Sequence, residues 1–363
     1  MKRIVCVISV ILLLIGCSSA DNTEYAEKLI SSKAEYAEFI SNTESYLTEC
    51  GFQGSVLISK GTDIIFAKGY GLSDSKTPHS PAINALSVFE IGSITKQMTA
   101  ACILKLEEEG LLSTEDKLSL YYPDYKYGDD ITIDMLLHMR SGLKDHIDGY
   151  EMFYPKDVAD ALYEAEYSCT PVEEGIAMKY FPENDLLSQP DTRFSYCNLN
   201  YHILADIIEK VSGKSYDDYV RENIFDVCGM TSSNLDFQGT TTVGYDRNGR
   251  YYSIPKSICK GAGEINSTVI DLWKCNNSLF SGKVIGEEAL KKMTSAKGSY
   301  ACGLFANSFI VFHGGSTDVF NSYNIIYLKD NIQIIVLINR PIEEMDSSDI
   351  AGEIRRIYDE SLC

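Results

Sequence analysis

A serine and a lysine stand three residues apart in the stretch 89–100, which reads Phe-Glu-Ile-Gly-Ser-Ile-Thr-Lys-Gln-Met-Thr-Ala. Residues at this spacing share one face of a helix, so Ser93 and Lys96 would lie side by side. The free N–H groups at a helix N-terminus favour negative charge, and a desolvated amine can accept a hydroxyl proton. Ser93 is therefore a candidate acyl-transfer nucleophile. The competing interpretation is an ordinary helix-capping serine.

The Ser-x-x-Lys spacing is not unique, so the surrounding sequence has to select among its occurrences. The other pairs are Ser73/Lys76, Ser141/Lys144, Ser253/Lys256 and Ser257/Lys260. Those pairs fall in turns, at a helix end, or beside glycine and proline, which interrupt helices. After Ser93, by contrast, apolar residues recur at helical spacing as far as Gly110. The context favours Ser93.

Composition limits the class of protein. The chain has 363 residues, and 45% of them are hydrophobic, which is enough for a sizeable core. The formal net charge is −20 and no basic stripe occurs, which argues against nucleic acid as a partner. The cysteines form no Cys-x-x-Cys pair and the five histidines show no ligand spacing. We therefore expect buried thiols, no metal and no cofactor.

The first 17 residues have the pattern of an export signal. A basic start precedes an apolar run that is too short for a comfortable membrane span and that ends in small residues. Leu-Ile-Gly-Cys at 14–17 resembles the bacterial lipobox, in which the cysteine is acylated. The resemblance implies that Cys17 is lipidated and that the protein is anchored to the outer face of the cell membrane. An ordinary signal peptide with an incidental cysteine is the alternative.

The remaining pattern predicts strands near both ends of the chain and helices between them. After a tether and a helix within 18–50, the stretch 54–70 reads as a β-hairpin turning at 60–63. Helical patterns follow from 110 to about 234, interrupted at 150–191 by an irregular, tyrosine-rich stretch. That stretch reads either as long loops framing a cleft or as a surface excursion.

Strand patterns return at 308–312, 321–328 and 332–338, and helical patterns occupy 267–280 and 348–362. This arrangement predicts an α/β (α+β) fold: one antiparallel sheet built from both chain ends, flanked by helices, with a mainly helical domain inserted at about 110–250. The catalytic domain would span 51–363. The site should lie where the sheet and the helical insertion meet.

Two further stretches place polar groups beside this junction. Tyr196 and Asn198 are two residues apart just before a helical pattern, so in an extended turn both side chains would point into a cleft. The stretch 312–316, Phe-His-Gly-Gly-Ser, lies beside a strand pattern. Its glycines would let the backbone approach a bound ligand closely.

With these residues in place, the chain resembles the serine penicillin-recognising hydrolases, in particular the branch of class C β-lactamases, D-alanyl-D-alanine carboxypeptidases and esterases. The resemblance covers 54–341 and rests on three signatures in order: Ser-Ile-Thr-Lys at 93–96, Tyr-Cys-Asn at 196–198 and His-Gly-Gly at 313–315. The stretches 131–143 and 263–268 also resemble that family.

The resemblance implies a role for each matched position. Ser93 would accept the acyl group, Lys96 and Tyr196 would share its proton, and Asn198 would position Lys96 and the substrate amide. The N–H groups of Ser93 and Ser316 would form the oxyanion hole. The chemistry is consistent, because a nearby ammonium favours the ionised form of a phenol, as general-base catalysis requires. His313 and Gly315 would contact the substrate.

The sequence departs from the family pattern where substrate choice is decided. The third signature usually begins with lysine, whereas His313 would be only partly charged at neutral pH. A histidine there weakens the case for β-lactams, and its charge should make carboxylate-bearing substrates pH-sensitive. Glu264 replaces a common glycine and would repel anionic substrates if it faced the cleft.

These features predict an exported serine hydrolase that forms an acyl-enzyme with a small ester, a peptide or a cell-wall-derived amide and turns over β-lactams poorly. Two alternatives stay open: an inert envelope binding or sensor protein, and a true class C β-lactamase. An α/β-hydrolase is disfavoured, because the chain has no Gly-x-Ser-x-Gly elbow. The oligomeric state and the natural substrate are not predicted.

Overall fold

A computed structural model describes residues 29–236, 238–317, 319–340 and 345–362. The export segment and Cys17 lie outside these residues. The eight cysteines within them are free thiols. None of the helices in the described ranges is long and apolar enough to cross a membrane.

The centre of the protein is a six-stranded antiparallel sheet with the order β2-β1-β8-β7-β6-β5. Its strands are β1 Gly54–Lys60, β2 Asp63–Tyr70, β5 Phe305–Ala306, β6 Ile310–Ser316, β7 Asn321–Tyr327 and β8 Ile332–Ile338. A second sheet pairs β3 Phe89–Glu90 with β4 Asn266–Ser267. Because β1 lies beside β8, the two ends of the chain form one sheet, and the predicted fold class is confirmed.

The central strands are apolar on both faces, so helices must cover both sides of the sheet. Val56 and Val336 pack into a cluster with α1 (Ala37–Glu49) and the carboxy-terminal helix, Ser347–Leu362. On the opposite face, Leu57 and Ile335 join the larger core.

The chain between the strands is mainly helical, as predicted. Its helices are α2 Thr95–Glu108, α3 Ile133–Leu137, α4 Lys156–Ser168, α5 Ile176–Tyr180, α6 Asn198–Ser212, α7 Tyr216–Val220, α8 Asp226–Cys228, α9 Val269–Phe280 and α10 Glu287–Thr294. The terminal helix Ser347–Leu362 is therefore α11.

The expectation of an irregular stretch at 150–191 was wrong in part, because α4 and α5 lie within it. The buried face of α4 consists of only Ala159, Leu162 and Ala165. Such a sparse stripe among acidic residues and tyrosines gives little helical periodicity in the sequence. The prediction that this stretch frames a cleft agrees with the position of Tyr150 and Glu166, which line one.

Candidate active site

Ser93 lies in a 3₁₀ turn, Gly92–Ile94, directly before α2. The sequence pattern predicts that Ser93 lies in the first turn of that helix, whereas the helix begins two residues later, at Thr95. Gly92 has a φ of +51°, which side-chain-bearing residues rarely adopt, and a Cβ atom there would lie 2.9 Å from the backbone nitrogen of Ser316. The turn that carries Ser93 therefore abuts the end of β6.

Lys96 is fully buried and has three acceptors for its three ammonium hydrogens. Its Nζ atom lies 2.9 Å from Ser93 Oγ, 2.8 Å from Asn198 Oδ1 and 2.7 Å from the carbonyl oxygen of Ala262. An ammonium group can donate all three hydrogen bonds, whereas a neutral amine would donate two and accept the third from the Ser93 hydroxyl. The geometry suits a charged Lys96 that stabilises negative charge on Ser93.

Tyr196 approaches Ser93 from another side, with its Oη atom 2.8 Å from Ser93 Oγ. The Lys96 ammonium lies 5.0 Å from the centre of the Tyr196 ring. The serine hydroxyl thus lies between a phenol and an ammonium, both within the distance needed for proton transfer. The structure brings together the three residues that the sequence proposed as the catalytic set.

Asn198 is the first residue of α6, not a residue of the turn before it. Its side chain still points back toward Lys96, because Asp145 holds it from the other side. Asp145 Oδ2 accepts a hydrogen bond from Asn198 Nδ2 at 3.1 Å and another from the Asn198 backbone N–H.

Two groups at this site were not predicted from the sequence: the carboxylate of Asp145 and the carbonyl of Ala262. Asp145 follows the family-like stretch 131–143 by two residues, and that proximity was a usable signal. A backbone carbonyl such as that of Ala262 has no signature in a sequence.

The third signature lies inside β6, whose predicted end at 312 was four residues short. Glycine is a poor strand former, so the sequence pattern weakens there. Position 315 requires a glycine because the backbone there packs closely against another part of the protein. A Cβ atom on Gly315 would lie 2.0 Å from the carbonyl oxygen of Ile91. Gly315 also lines a cavity together with Tyr196 and Ser316, so its approach to a ligand stays a prediction. Ser316 lines the cleft together with Ser93.

The expectation that His313 is partly charged and contacts an acidic substrate group is corrected. Its side chain is only 3% exposed, with Nδ1 2.6 Å from the Gly314 carbonyl oxygen and Nε2 3.0 Å from the Tyr300 hydroxyl. A carbonyl only accepts, so Nδ1 carries the proton and Nε2 accepts from Tyr300. Burial, and then the charge of Lys96, lower the pKa of His313 to about 3. The ring is therefore neutral at physiological pH.

Glu264 points away from the cleft, contrary to the concern that it could repel substrates there. Its carboxylate accepts hydrogen bonds from the backbone N–H groups of Gly261, at 2.8 Å, and Gly263, at 3.3 Å. Burial raises its pKa to about 7. Glu264 lines a different cavity, together with Lys256 and Lys260.

The other Ser-x-x-Lys serines have different surroundings. The Ser73 hydroxyl pairs with Ser80, that of Ser141 donates to Asn200, and that of Ser253 donates to Glu90. Ser257 donates to the carbonyl of Val172. Of the five, Ser93 is the one that lines a cavity of about 390 Å³ together with Tyr196 and Asn198.

Comparisons with known proteins agree with this architecture. The family profile described as Beta-lactamase matches residues 39–358. PbpX, a candidate penicillin-binding protein of Bacillus subtilis strain 168, is 30% identical over 338 residues, which cover 88% of this chain and 80% of that protein.

Solved structures with the same fold include an octameric penicillin-binding protein homologue from Pyrococcus abyssi. It is 26% identical with a TM-score of 0.71, and the match covers 89% of this chain and 77% of the other. A D-amino acid amidase from Ochrobactrum anthropi SV3 is 18% identical with a TM-score of 0.74, covering 90% and 100% of the two chains, and it shows the shared fold alone. The chain belongs to the β-lactamase family, which includes penicillin-binding proteins, and has its serine-hydrolase type of fold.

Proposed function

We propose that this protein is an extracytoplasmic serine hydrolase that cleaves a small ester or amide through an acyl-enzyme, as an esterase or a D-amino-acid peptidase. The observation that carries the proposal is the position of Ser93 Oγ, 2.9 Å from the Lys96 ammonium and 2.8 Å from the Tyr196 hydroxyl. This is the arrangement that a nucleophile needs if it is to lose its proton as it attacks.

In the proposed reaction, Ser93 Oγ attacks the carbonyl carbon while its proton passes to the ionised oxygen of Tyr196. The backbone N–H groups of Ser93 and Ser316 stabilise the oxyanion. When the intermediate collapses, Tyr196 returns the proton to the leaving group and the acyl group stays on Ser93. Water then hydrolyses the acyl-enzyme by the same proton path in reverse.

Weak turnover of β-lactams is part of the proposal. These substrates carry a carboxylate, and the neutral, buried His313 supplies no positive charge to meet it. A carboxylate that enters a cleft without a cationic partner loses its hydrogen bonds to water and forms no ion pair that replaces them.

Covalent labelling tests the proposal. A fluorophosphonate probe should label the folded protein at Ser93, and Ser93→Ala should remove both the label and the hydrolysis of p-nitrophenyl esters. Ser257→Ala is the control, because Ser257 has the same Ser-x-x-Lys spacing but lies outside the Ser93 cavity.

Two results would contradict the proposal. Folded protein that neither fluorophosphonate nor fluorescent penicillin labels would indicate an inert binding or sensor protein. Hydrolysis of nitrocefin as fast as that of the best ester or D-alanine peptide would indicate a true β-lactamase.

A further inference from the structure

We infer that the cleft selects substrates that carry a protonated amine close to the scissile carbonyl, with Glu166 and Asp148 as the groups that recognise it. This inference rests on the proposed function, because it names the substrate class for the same site. An amino-acid amide or ester with a free α-amine has this chemistry.

The first observation is the charge of the cleft. The described residues that line the 390 Å³ cavity around Ser93 include Asp148 and Glu166 but no lysine or arginine. Lys96 lies behind Ser93, fully buried, with its three hydrogens directed at three acceptors. A ligand in the cleft therefore meets carboxylates as the charged side chains of the lining, and opposite charge favours a cation.

The second observation is the setting of Glu166 on α4. Its Oε2 atom accepts a hydrogen bond from the hydroxyl of the buried Tyr150 at 3.3 Å. The ring of Tyr163, 39% exposed, lies 4.7 Å from that of Tyr150, and both rings line the same cavity. A carboxylate flanked by aromatic rings suits an ammonium group, which is attracted both to the charge and to the ring faces.

The third observation connects recognition to the reacting atoms. Asp145 Oδ1 accepts hydrogen bonds from the backbone N–H groups of Ile147, at 2.8 Å, and Asp148, at 3.0 Å. Its other oxygen holds Asn198, which contacts Lys96. The loop that presents Asp148 is thus fixed by the same carboxylate that orients the catalytic set. An amine bound there would place the adjacent carbonyl within the Ser93 cavity.

The chemistry of the lining favours an amine over a metal ion as the bound cation. Among the described residues, no group of three or more His, Cys, Asp and Glu side chains is arranged to hold a metal. A volume of about 390 Å³ is at the small end for ligand cavities, which suits an amino-acid derivative.

A pair of substrates that differ only in the amine tests the inference. Alanine p-nitroanilide and its N-acetyl derivative, each as both enantiomers, would be compared at pH 6.5, where an α-amine is largely protonated. We expect kcat/KM for the preferred enantiomer to be roughly tenfold higher with the free amine. Glu166→Gln keeps the acceptor for Tyr150 but removes the charge, and it should bring that ratio close to one. Asp148→Asn should also lower the ratio of kcat/KM between the free amine and its N-acetyl derivative.

Glu164→Gln is the matched control, because Glu164 is an exposed carboxylate on the same helix that does not line the cavity. It should leave the ratio unchanged. A wild-type ratio near one, or an unchanged ratio in Glu166→Gln, would overturn the inference while ester hydrolysis at Ser93 kept the proposed function in place.

A binding measurement separates this inference from the failure of catalysis. Calorimetry on Ser93→Ala would compare alanine amide with N-acetylalanine amide. Tighter binding of the free amine that is lost in the double variant with Glu166→Gln would support the inference even if the wild type hydrolysed nothing. Equal binding of the two amides would refute it.

Discussion

The three hydrogen-bond acceptors around Lys96 indicate that Lys96 and Tyr196 have different roles in catalysis. A lysine that donates to Ser93, Asn198 and Ala262 at once has the geometry of an ammonium, which cannot accept a proton. With Lys96 charged, the proton of Ser93 would pass to Tyr196, which among the described residues also contacts its hydroxyl. Lys96 would stabilise the ionised phenol and the nucleophile electrostatically, while Tyr196 would be the general base.

Tyr196→Phe tests this division. We expect acylation by a p-nitrophenyl ester to slow by about 100- to 10,000-fold, the range for loss of a general base. The fold should be retained, because the hydroxyl's recorded contact is with Ser93. Single-turnover kinetics would measure the acylation step, and Tyr167→Phe, at an exposed tyrosine, would serve as control. A loss of less than fivefold would assign the base to Lys96.

For individual residues, the sequence predicted which side chains lie together in the site but not which of them are charged. The family resemblance, which rests on three signatures in order, was enough to predict that Ser93, Lys96, Tyr196 and Asn198 lie together. His313 was misjudged because burial and the charge of Lys96 lower its pKa, and both involve contacts between distant parts of the chain. The ionisation of a buried group is set by its surroundings, and these surroundings are known only once the chain is folded.

At the scale of elements, the loop 261–264 forms the wall between the cleft and the neighbouring cavity. The Ala262 carbonyl accepts from Lys96 on one side, while the Glu264 carboxylate holds the N–H groups of Gly261 and Gly263 on the other. Both oxygens of the Glu264 carboxylate therefore accept a hydrogen bond. The loop's position, and with it the third acceptor of Lys96, depends on an ionised Glu264.

Glu264→Gln should therefore weaken catalysis without touching the cleft. The amide nitrogen of glutamine would face a backbone N–H, and an unmet buried donor costs about 1–3 kcal/mol. We expect kcat to fall roughly tenfold with little change in KM. Because the pKa of Glu264 is raised to about 7, wild-type kcat should also decline as pH falls through 7, when the carboxylate is protonated.

The pH profile distinguishes this effect from general destabilisation. Glu264→Gln should lose the decline near pH 7, whereas Glu288→Gln, at an exposed glutamate on α10, should keep it. The charge of Asp217 also raises the pKa of Glu264, and the Glu264 charge in turn acts on Lys256, Tyr216 and Cys259. An unaltered profile in Glu264→Gln would mean that a different group produces the decline.

Helices and strands were predicted most accurately where apolar residues recur at a regular spacing. The prediction placed the strand 332–338 to the residue and α11 to within one residue at its start. The errors fall on α4, which has few apolar residues on its buried face, and on β6, where the carbonyl of Ile91 requires a glycine at Gly315. In both cases tertiary contacts outweigh local propensity.

At the scale of the whole molecule, we propose that the export segment delivers a lipid-anchored protein. The residues concerned precede the described part of the chain, so the support is the sequence 1–17 alone. Cys17→Ser should prevent lipidation and move the protein from the membrane fraction to the soluble one. Cell fractionation and mass spectrometry of the mature N-terminus would measure this, with Cys50→Ser as control. Unchanged membrane retention without lipid would exclude the anchor.

The stability of the whole fold should depend on a buried ion pair at the end of α3, between His138 and Asp134. His138, at the end of α3, is buried with its Nδ1 atom 2.9 Å from the Asp134 carbonyl oxygen and 3.2 Å from the Asp134 carboxylate. Its Nε2 atom lies 3.2 Å from the carbonyl oxygen of Ser295. Acceptors at both nitrogens require an imidazolium. Burial opposes the charge, but the Asp134 carboxylate and then Cys302, through hydrogen bonds and charge, raise the pKa of His138 to about 10.

Because the folded pKa lies above the unfolded value near 6.5, this stabilisation is complete below pH 6.5 and is lost progressively as pH rises to about 10. His138→Asn keeps a donor near Nδ1 but removes the charge, and it should lower the free energy of unfolding at pH 6 by roughly 3 kcal/mol. Denaturant titrations at pH 6, 8 and 10 should show that the difference in free energy of unfolding between wild type and variant becomes smaller as the pH rises. His79→Asn, at an exposed histidine, should show almost no gap at any pH. A gap for His138→Asn that stayed constant across this range would mean that His138 is neutral and contributes through packing alone.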